Sequence, residues 1–249
     1  TCGAPCMLPS RALIAASILV SGVLLPQAAH AEPSMWRKEW PTFSPVEGVA
    51  TVVAGAGTLT LLMLKPPRDP RWEGGILFDG DVRGALRAES ESGRERARSI
   101  GDLTYFAAPL LPLIVDPLVA WGRGDAKAAR NVAWIGLEAF SYSGLLSFAS
   151  TSLSARARPD SAACLERSPD GRGCSVDTQS FWSGHSAITA TSAGIVCANH
   201  RYMALLGNPV ADLSACVVAA GSARTTALTR VAADRHYASD VLVGLGVGF

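Results

Sequence analysis

A cation, an imidazole and a carboxylate stand together in residues 229–240, TRVAADRHYASD. They are Arg230, His236 and Asp240, separated by six and four residues. If the chain is helical from about His236 onward, Asp240 lies one turn along on the same face. Its carboxylate can then accept the proton of one ring nitrogen of His236, which fixes the tautomer and frees the other nitrogen as a nucleophile or base. Two earlier stretches carry matching groups. Residues 154–159, SARARP, contain Arg158; residues 181–186, FWSGHS, contain Ser183, Gly184 and His185. Guanidinium forks match the oxygens of a phosphate. Ser183 is placed to cap a helix, and Gly184 lets backbone N–H groups approach an anion closely. The set suits attack by one imidazole on a tetrahedral oxyanion, with the second imidazole giving and taking the proton.

Together the three stretches resemble the signature of the superfamily of type 2 phosphatidic-acid phosphatases, bacterial acid phosphatases and vanadium haloperoxidases. That signature runs Lys-x6-Arg-Pro, then Pro-Ser-Gly-His, then Ser-Arg-x5-His-x3-Asp. Arg158-Pro159, Ser183-Gly184-His185, Arg230, His236 and Asp240 match it in order and at the right internal spacings. The resemblance covers roughly residue 103 to the end of the chain. It implies an all-α bundle of about six core helices whose ends converge on one anion pocket. It implies His236 as nucleophile, oriented by Asp240, His185 as acid and base, and Arg158, Arg230, Ser183 and Gly184 as phosphate ligands.

Three positions depart from that pattern. Thr151 stands where the family has Lys, Trp182 replaces the Pro, and Thr229 replaces the Ser. Thr229 keeps a hydroxyl. Thr151 removes a charged phosphate ligand, and the three lysines, Lys38, Lys65 and Lys127, all lie outside the motifs. Arg156 is the nearest cation to the vacant position, though its place in the sequence reads as peripheral.

The function that follows is a phosphatase acting on phosphate esters through a phosphohistidine. Its substrate would be a lipid phosphate, an isoprenoid diphosphate or a soluble monoester. No metal or other cofactor is needed if arginines and amides carry the charge. The alternatives are a vanadium haloperoxidase, which would bind vanadate and which the missing Lys disfavours, and a degenerate structural or lipid-binding member.

The bulk numbers agree with a single helical domain. The chain has 249 residues, 49% of them hydrophobic, and its mean hydropathy is +0.24. That is high for a soluble protein and low for one wholly embedded in lipid. A formal net charge of +1 gives no case for nucleic acid as a partner.

In order, residues 1–31 read as upstream residues and a secretory leader: Met7 as the start, Arg11 as the basic region, an apolar run over 12–25, and a small-x-small cleavage site at Ala29-His30-Ala31. Residues 32–100 hold an aromatic-rich lead-in, an apolar segment over 48–64 that is the best candidate span, and a polar stretch. Within that stretch 81–100 reads as one exposed, charge-laced helix. Residues 101–249 form the phosphatase-like core, with helices over 103–121, 131–155, 185–203 and 209–223 and a further apolar run over 241–249. Cys164 and Cys174 fall in the loop between the first two motifs and are expected to pair in an exported protein. Cys197 and Cys216 either pair or sit as small core residues. A cleaved leader followed by one span would put the motifs in the cytoplasm, whereas membrane members of the family carry the site on the outer face. The expectation is therefore an exported protein, periplasmic or membrane-associated, soluble or resting on the membrane.

Overall fold

The longer helices start at residues that can satisfy free backbone N–H groups. In the computed structural model, which describes residues 34–64, 66–67, 69–168 and 171–249, α1 (Pro45–Met63) begins at Ser44 with a reciprocal Ser44–Glu47 capping box. Helix α5 (Ala126–Ser154) begins at Asp125 and α8 (Pro209–Ala232) at Asn208, each accepting from the first-turn amides. The other helices are α2 (Asp79–Leu86), α3 (Glu91–Ala107), α4 (Asp116–Gly122), α6 (Pro159–Arg167), α7 (Gly184–Met203) and α9 (Ala238–Gly248). The all-α expectation holds. The leader, its cleavage site, Cys2 and Cys6 lie outside the described residues.

Several boundaries differ from the sequence reading. The single helix over 81–100 is instead α2 and α3, because the chain turns extended at Arg87 and Ser90 caps a new helix, its side chain accepting from the Gly93 N–H. Two arginines of that stretch, though partly exposed, are engaged: Arg83 and Arg87 both pair with Asp234. The helix over 103–121 is interrupted by a π-helical turn at Leu111–Val115, where Pro109, Pro112 and Pro117 cannot supply ordinary helical N–H groups. Helix α8 runs on past residue 223 and carries Arg230 in its last turn.

Small and polar side chains fill the interior. One core cluster is Ala193, Val196, Ala219 and Ala223, where α7 and α8 pack. Thr189, Ser192, Asn131 and Thr226 are buried beside such residues. The large apolar side chains point outward: Leu103 is 69% and Phe106 71% exposed, and Val49, Leu118, Leu146 and Val217 behave alike. Water does not favour such an arrangement, and hydrocarbon does. Three segments are long and apolar enough to cross a membrane, where the sequence singled out one: α1, residues 91–122 and α5.

Close helix approaches set the geometry of one end of the bundle. A Cβ at Gly101 would come within 2.9 Å of Thr229 Oγ1, so only glycine lets α3 lie this near the last turns of α8. At Gly244 a Cβ would come within 2.5 Å of the Ser183 carbonyl oxygen, which pins α9 against the start of α7. Both disulfides form, Cys164–Cys174 and Cys197–Cys216. Far from the motifs, His200 sits between Asp212 and Asp116, with Asn199 also donating to Asp116. The buried charges at 116, 200 and 212 are therefore partners of one another.

Candidate active site

All three motifs reach the same end of the bundle. Arg158 is the N-cap residue of α6, His185 lies in the first turn of α7, Arg230 in the last turn of α8, and His236 in the turn before α9. His236 is not itself helical. Asp234 just upstream takes a left-handed conformation (φ 58°), which reverses the chain after α8. Arg83 donates to Asp234 at 2.6 and 2.7 Å and Arg87 at 2.7 Å, fixing that reversal. Burial pushes the Asp234 carboxyl up, but the two guanidiniums outweigh it and hold it below the usual range.

Arg158, His185 and His236 line one cavity of about 260 Å³ together with Thr151, Gln179 and Gly184. Tyr105, Phe140, Phe148 and Ile188 form its apolar walls. A larger cavity, about 550 Å³, opens beside the Cys197–Cys216 bridge at the far end of α7 and holds none of the motif residues. Ser183 caps α7, its side chain accepting from the Ser186 N–H, as its position before Gly184 suggested. The N-terminus of α7 thus opens beside His185 and the cavity.

His236 is fully buried, and its Nδ1 lies 2.9 Å from the Ser180 carbonyl oxygen. A carbonyl only accepts, so Nδ1 carries the proton and Nε2 keeps its lone pair. Asp240 was expected to take that proton. Its nearest oxygen is 3.8 Å from Nδ1, beyond hydrogen-bond range, because His236 stands outside the helix and the one-turn relationship is lost. Asp240 instead accepts from Arg156 (2.5 Å), the Ser180 hydroxyl (2.6 Å) and the Tyr237 N–H (2.9 Å). Burial, and then the Arg158 and Arg230 charges against the pull of Asp240, leave His236 lowered to about 4. It is neutral at neutral pH, as a nucleophile must be.

Asp102 of α3 is a site residue that the sequence reading missed. Its Oδ1 accepts from Arg230 Nη1 at 2.8 Å and lies 3.1 Å from His185 Nε2. That contact puts the His185 proton on Nε2 and leaves Nδ1 as the nitrogen free for substrate. Tyr105 stacks on the His185 ring at 4.3 Å. Burial and the neighbouring Arg230 charge lower His185 to about 2. Asp177 is a second missed residue: its carboxylate pairs with Arg158 and with Arg235 Nη2, both at 3.0 Å. The only local signal for Asp102 was its place as the last charge before an apolar run.

The two arginines are poised for an anion. Arg158 and Arg230 are both buried, and the Nε of each lacks a directed hydrogen bond. The Arg158–Asp177 contact is thus an ion pair whose geometry misses the N–H direction. Buried N–H groups without acceptors cost free energy, which an incoming oxyanion offsets. Burial lowers each to about 10, and both remain cations at neutral pH. Thr151 is buried and donates to the Phe148 carbonyl. Arg156 does not stand in for the missing Lys, since its donors are committed elsewhere.

Over residues 133–249 the chain matches the model of the PAP2 superfamily, which supports a likeness to type 2 phosphatidic-acid phosphatases. Comparison with curated proteins and with solved structures returned no match. That match points to hydrolysis of phosphate esters.

Proposed function

We propose that the chain is a phosphatase that hydrolyses a phosphorylated lipid through a phosphohistidine at His236. The observation that carries this reading is the shared cavity: His236, with Nε2 unprotonated, and His185 line it with Arg158. Arg158, Arg230 and the amides at the start of α7 neutralise the phosphate oxygens. Nε2 of His236 attacks phosphorus in line with the ester oxygen, forming the P–N bond as the P–O bond breaks. The dianionic phosphate offsets the arginine charges, so that His185 takes up a proton and delivers it from Nδ1 to the departing alkoxide. His185 then draws a proton from water, whose oxygen attacks phosphorus and releases His236 and inorganic phosphate. The cations needed are all side chains, and the reaction proceeds without a bound cofactor.

The apolar walls support a lipid rather than a soluble monoester. Tyr105, Phe140, Phe148 and Ile188 would meet the first methylenes of a lipid phosphate or isoprenoid diphosphate. The outward apolar faces of α1, residues 91–122 and α5 would hold the protein in a bilayer, with the site near one surface. Vanadate-dependent peroxidase chemistry has less support, because Thr151 offers a hydroxyl where that chemistry needs a cation.

The test is release of phosphate from phosphatidic acid, from an isoprenoid diphosphate and from p-nitrophenyl phosphate, with chelator present. Turnover of the lipid substrates and a phosphoenzyme labile to acid are expected. Absence of phosphate release from all three would end the phosphatase reading. Bromide oxidation in the presence of vanadate and peroxide would favour the other branch.

A further inference from the structure

Among the described residues Arg156 is the largest fully buried side chain, and every N–H of its guanidinium is engaged. Nε donates to the Gly74 carbonyl at 3.2 Å. Nη1 donates to Asp240 at 2.5 Å and to Ser239 Oγ at 3.0 Å. Nη2 donates to Asp79 and to the Gly74 carbonyl, each at 2.9 Å. Its plane is clamped between the rings of Trp72 and Tyr237, each 4.0 Å from the guanidinium carbon. Asp79 is equally buried and also accepts from the N–H and hydroxyl of Ser239.

A buried ion pair is a poor way to gain stability, because desolvation cancels most of the attraction. What such a cluster does well is fix one arrangement. Arg156 fixes both groups that face His236 Nδ1. Its side chain holds Asp240, and its backbone carbonyl accepts from the Ser180 N–H at 3.1 Å, setting the Ser180 carbonyl in place. Ser180 Oγ closes the loop by donating to Asp240. Trp72, Gly74 and Asp79 lie outside the segment that matches the family.

We propose that Arg156, oriented by Asp79, is a positioning residue for His236, so that the segment from Trp72 to Asp79 is part of the catalytic apparatus. It touches no substrate. It sets the ring angle of His236 through Ser180 and Asp240, and a small misplacement of an attacking atom is costly in rate. Lysine cannot substitute, because it offers neither a planar face for two aromatic rings nor a five-donor fork.

This inference rests on the phosphatase reading, and its test separates the two. Asp79→Asn and Arg156→Lys are compared with wild type as the full chain in detergent. In both, kcat should fall about ten- to hundredfold, as for lost partners behind a first shell of ligands. KM should stay within about twofold, since Arg158 and Arg230 are untouched. The rate of phosphoenzyme formation should fall in step with kcat. A folded Asp79→Asn protein with wild-type kcat, or with a raised KM and unchanged kcat, overturns the inference. If neither variant folds, Ser239→Ala deletes a single hydroxyl shared by Arg156 and Asp79. A severalfold loss of kcat at constant KM supports the proposal, and unchanged kcat overturns it. A wild-type protein that releases no phosphate sinks the phosphatase reading instead.

Discussion

His236 is held by Ser180 rather than by Asp240: its Nδ1 is 2.9 Å from the Ser180 carbonyl oxygen and 3.8 Å from the nearest Asp240 carboxylate oxygen. A carbonyl of the main chain cannot be removed by side-chain substitution, so the tautomer of His236 survives loss of the carboxylate. Asp240→Asn should therefore lower kcat by about ten- to hundredfold. It should not produce the roughly 10⁴-fold loss seen when an orienting carboxylate is replaced and the imidazole takes the wrong tautomer. Steady-state kinetics beside His236→Ala would measure the difference. A loss equal to that of His236→Ala would show that the Ser180 contact does not fix the ring.

The nucleophile itself is less forgiving. His236→Ala should abolish turnover and the acid-labile phosphoenzyme together, since in the proposed mechanism Nε2 bonds phosphorus. Surviving phosphoenzyme in this variant would move the nucleophile to another residue.

Loss of His185 should depend on the leaving group. His185→Ala should spare p-nitrophenyl phosphate, whose phenolate leaves without help, far more than an alkyl phosphate. Equal losses on both would remove the acid role. Burial and the Arg230 charge lower His185 to about 2. Binding of inorganic phosphate should therefore take up a proton, visible as a buffer-dependent heat in titration calorimetry. A heat independent of the buffer would contradict this.

The pH dependence carries a definite sign. Burial, then the Arg158 and Arg230 charges, lower His236 to about 4, below its ordinary value of about 6.5. Between those values the unfolded chain binds more protons than the folded one, so stability rises with pH through that window and is lost as pH falls from 6.5 toward 4. In the proposed mechanism the neutral ring is also the attacking form, so the acid limb of kcat/KM for the free enzyme should fall near pH 4. A limb near 6.5 would mean that the imidazole is solvated.

The outward apolar faces predict the behaviour of the protein in membranes. It should remain in the membrane fraction through high salt and enter solution in detergent. Release by salt alone would show a surface-bound protein held by charge.

Much of this molecule was legible in its residues. The apolar runs between caps gave the helices, because backbone N–H satisfaction and burial are local demands that Ser44, Asp125, Ser183 and Asn208 meet within three residues. The motif spacings singled out Arg158, His185, Arg230 and His236, and the place of Cys164 and Cys174 in one polar loop suggested their bridge. Other features depend on contacts between segments far apart in the chain. Asp102 reaches Arg230 across 128 residues and Asp79 reaches Ser239 across 160, and no local pattern encodes such pairs. The role of Asp240 changed for the same reason. Sequence spacing places it relative to His236 only if one helix contains both, and after the reversal at Asp234, clamped by Arg83 and Arg87, α9 begins only at Ala238, past the histidine. Residue types and short spacings thus determined the helices and the chemical groups of the site. Packing between distant segments decided which groups orient them, because a hydrogen bond depends on where two atoms lie in space rather than on their separation along the chain.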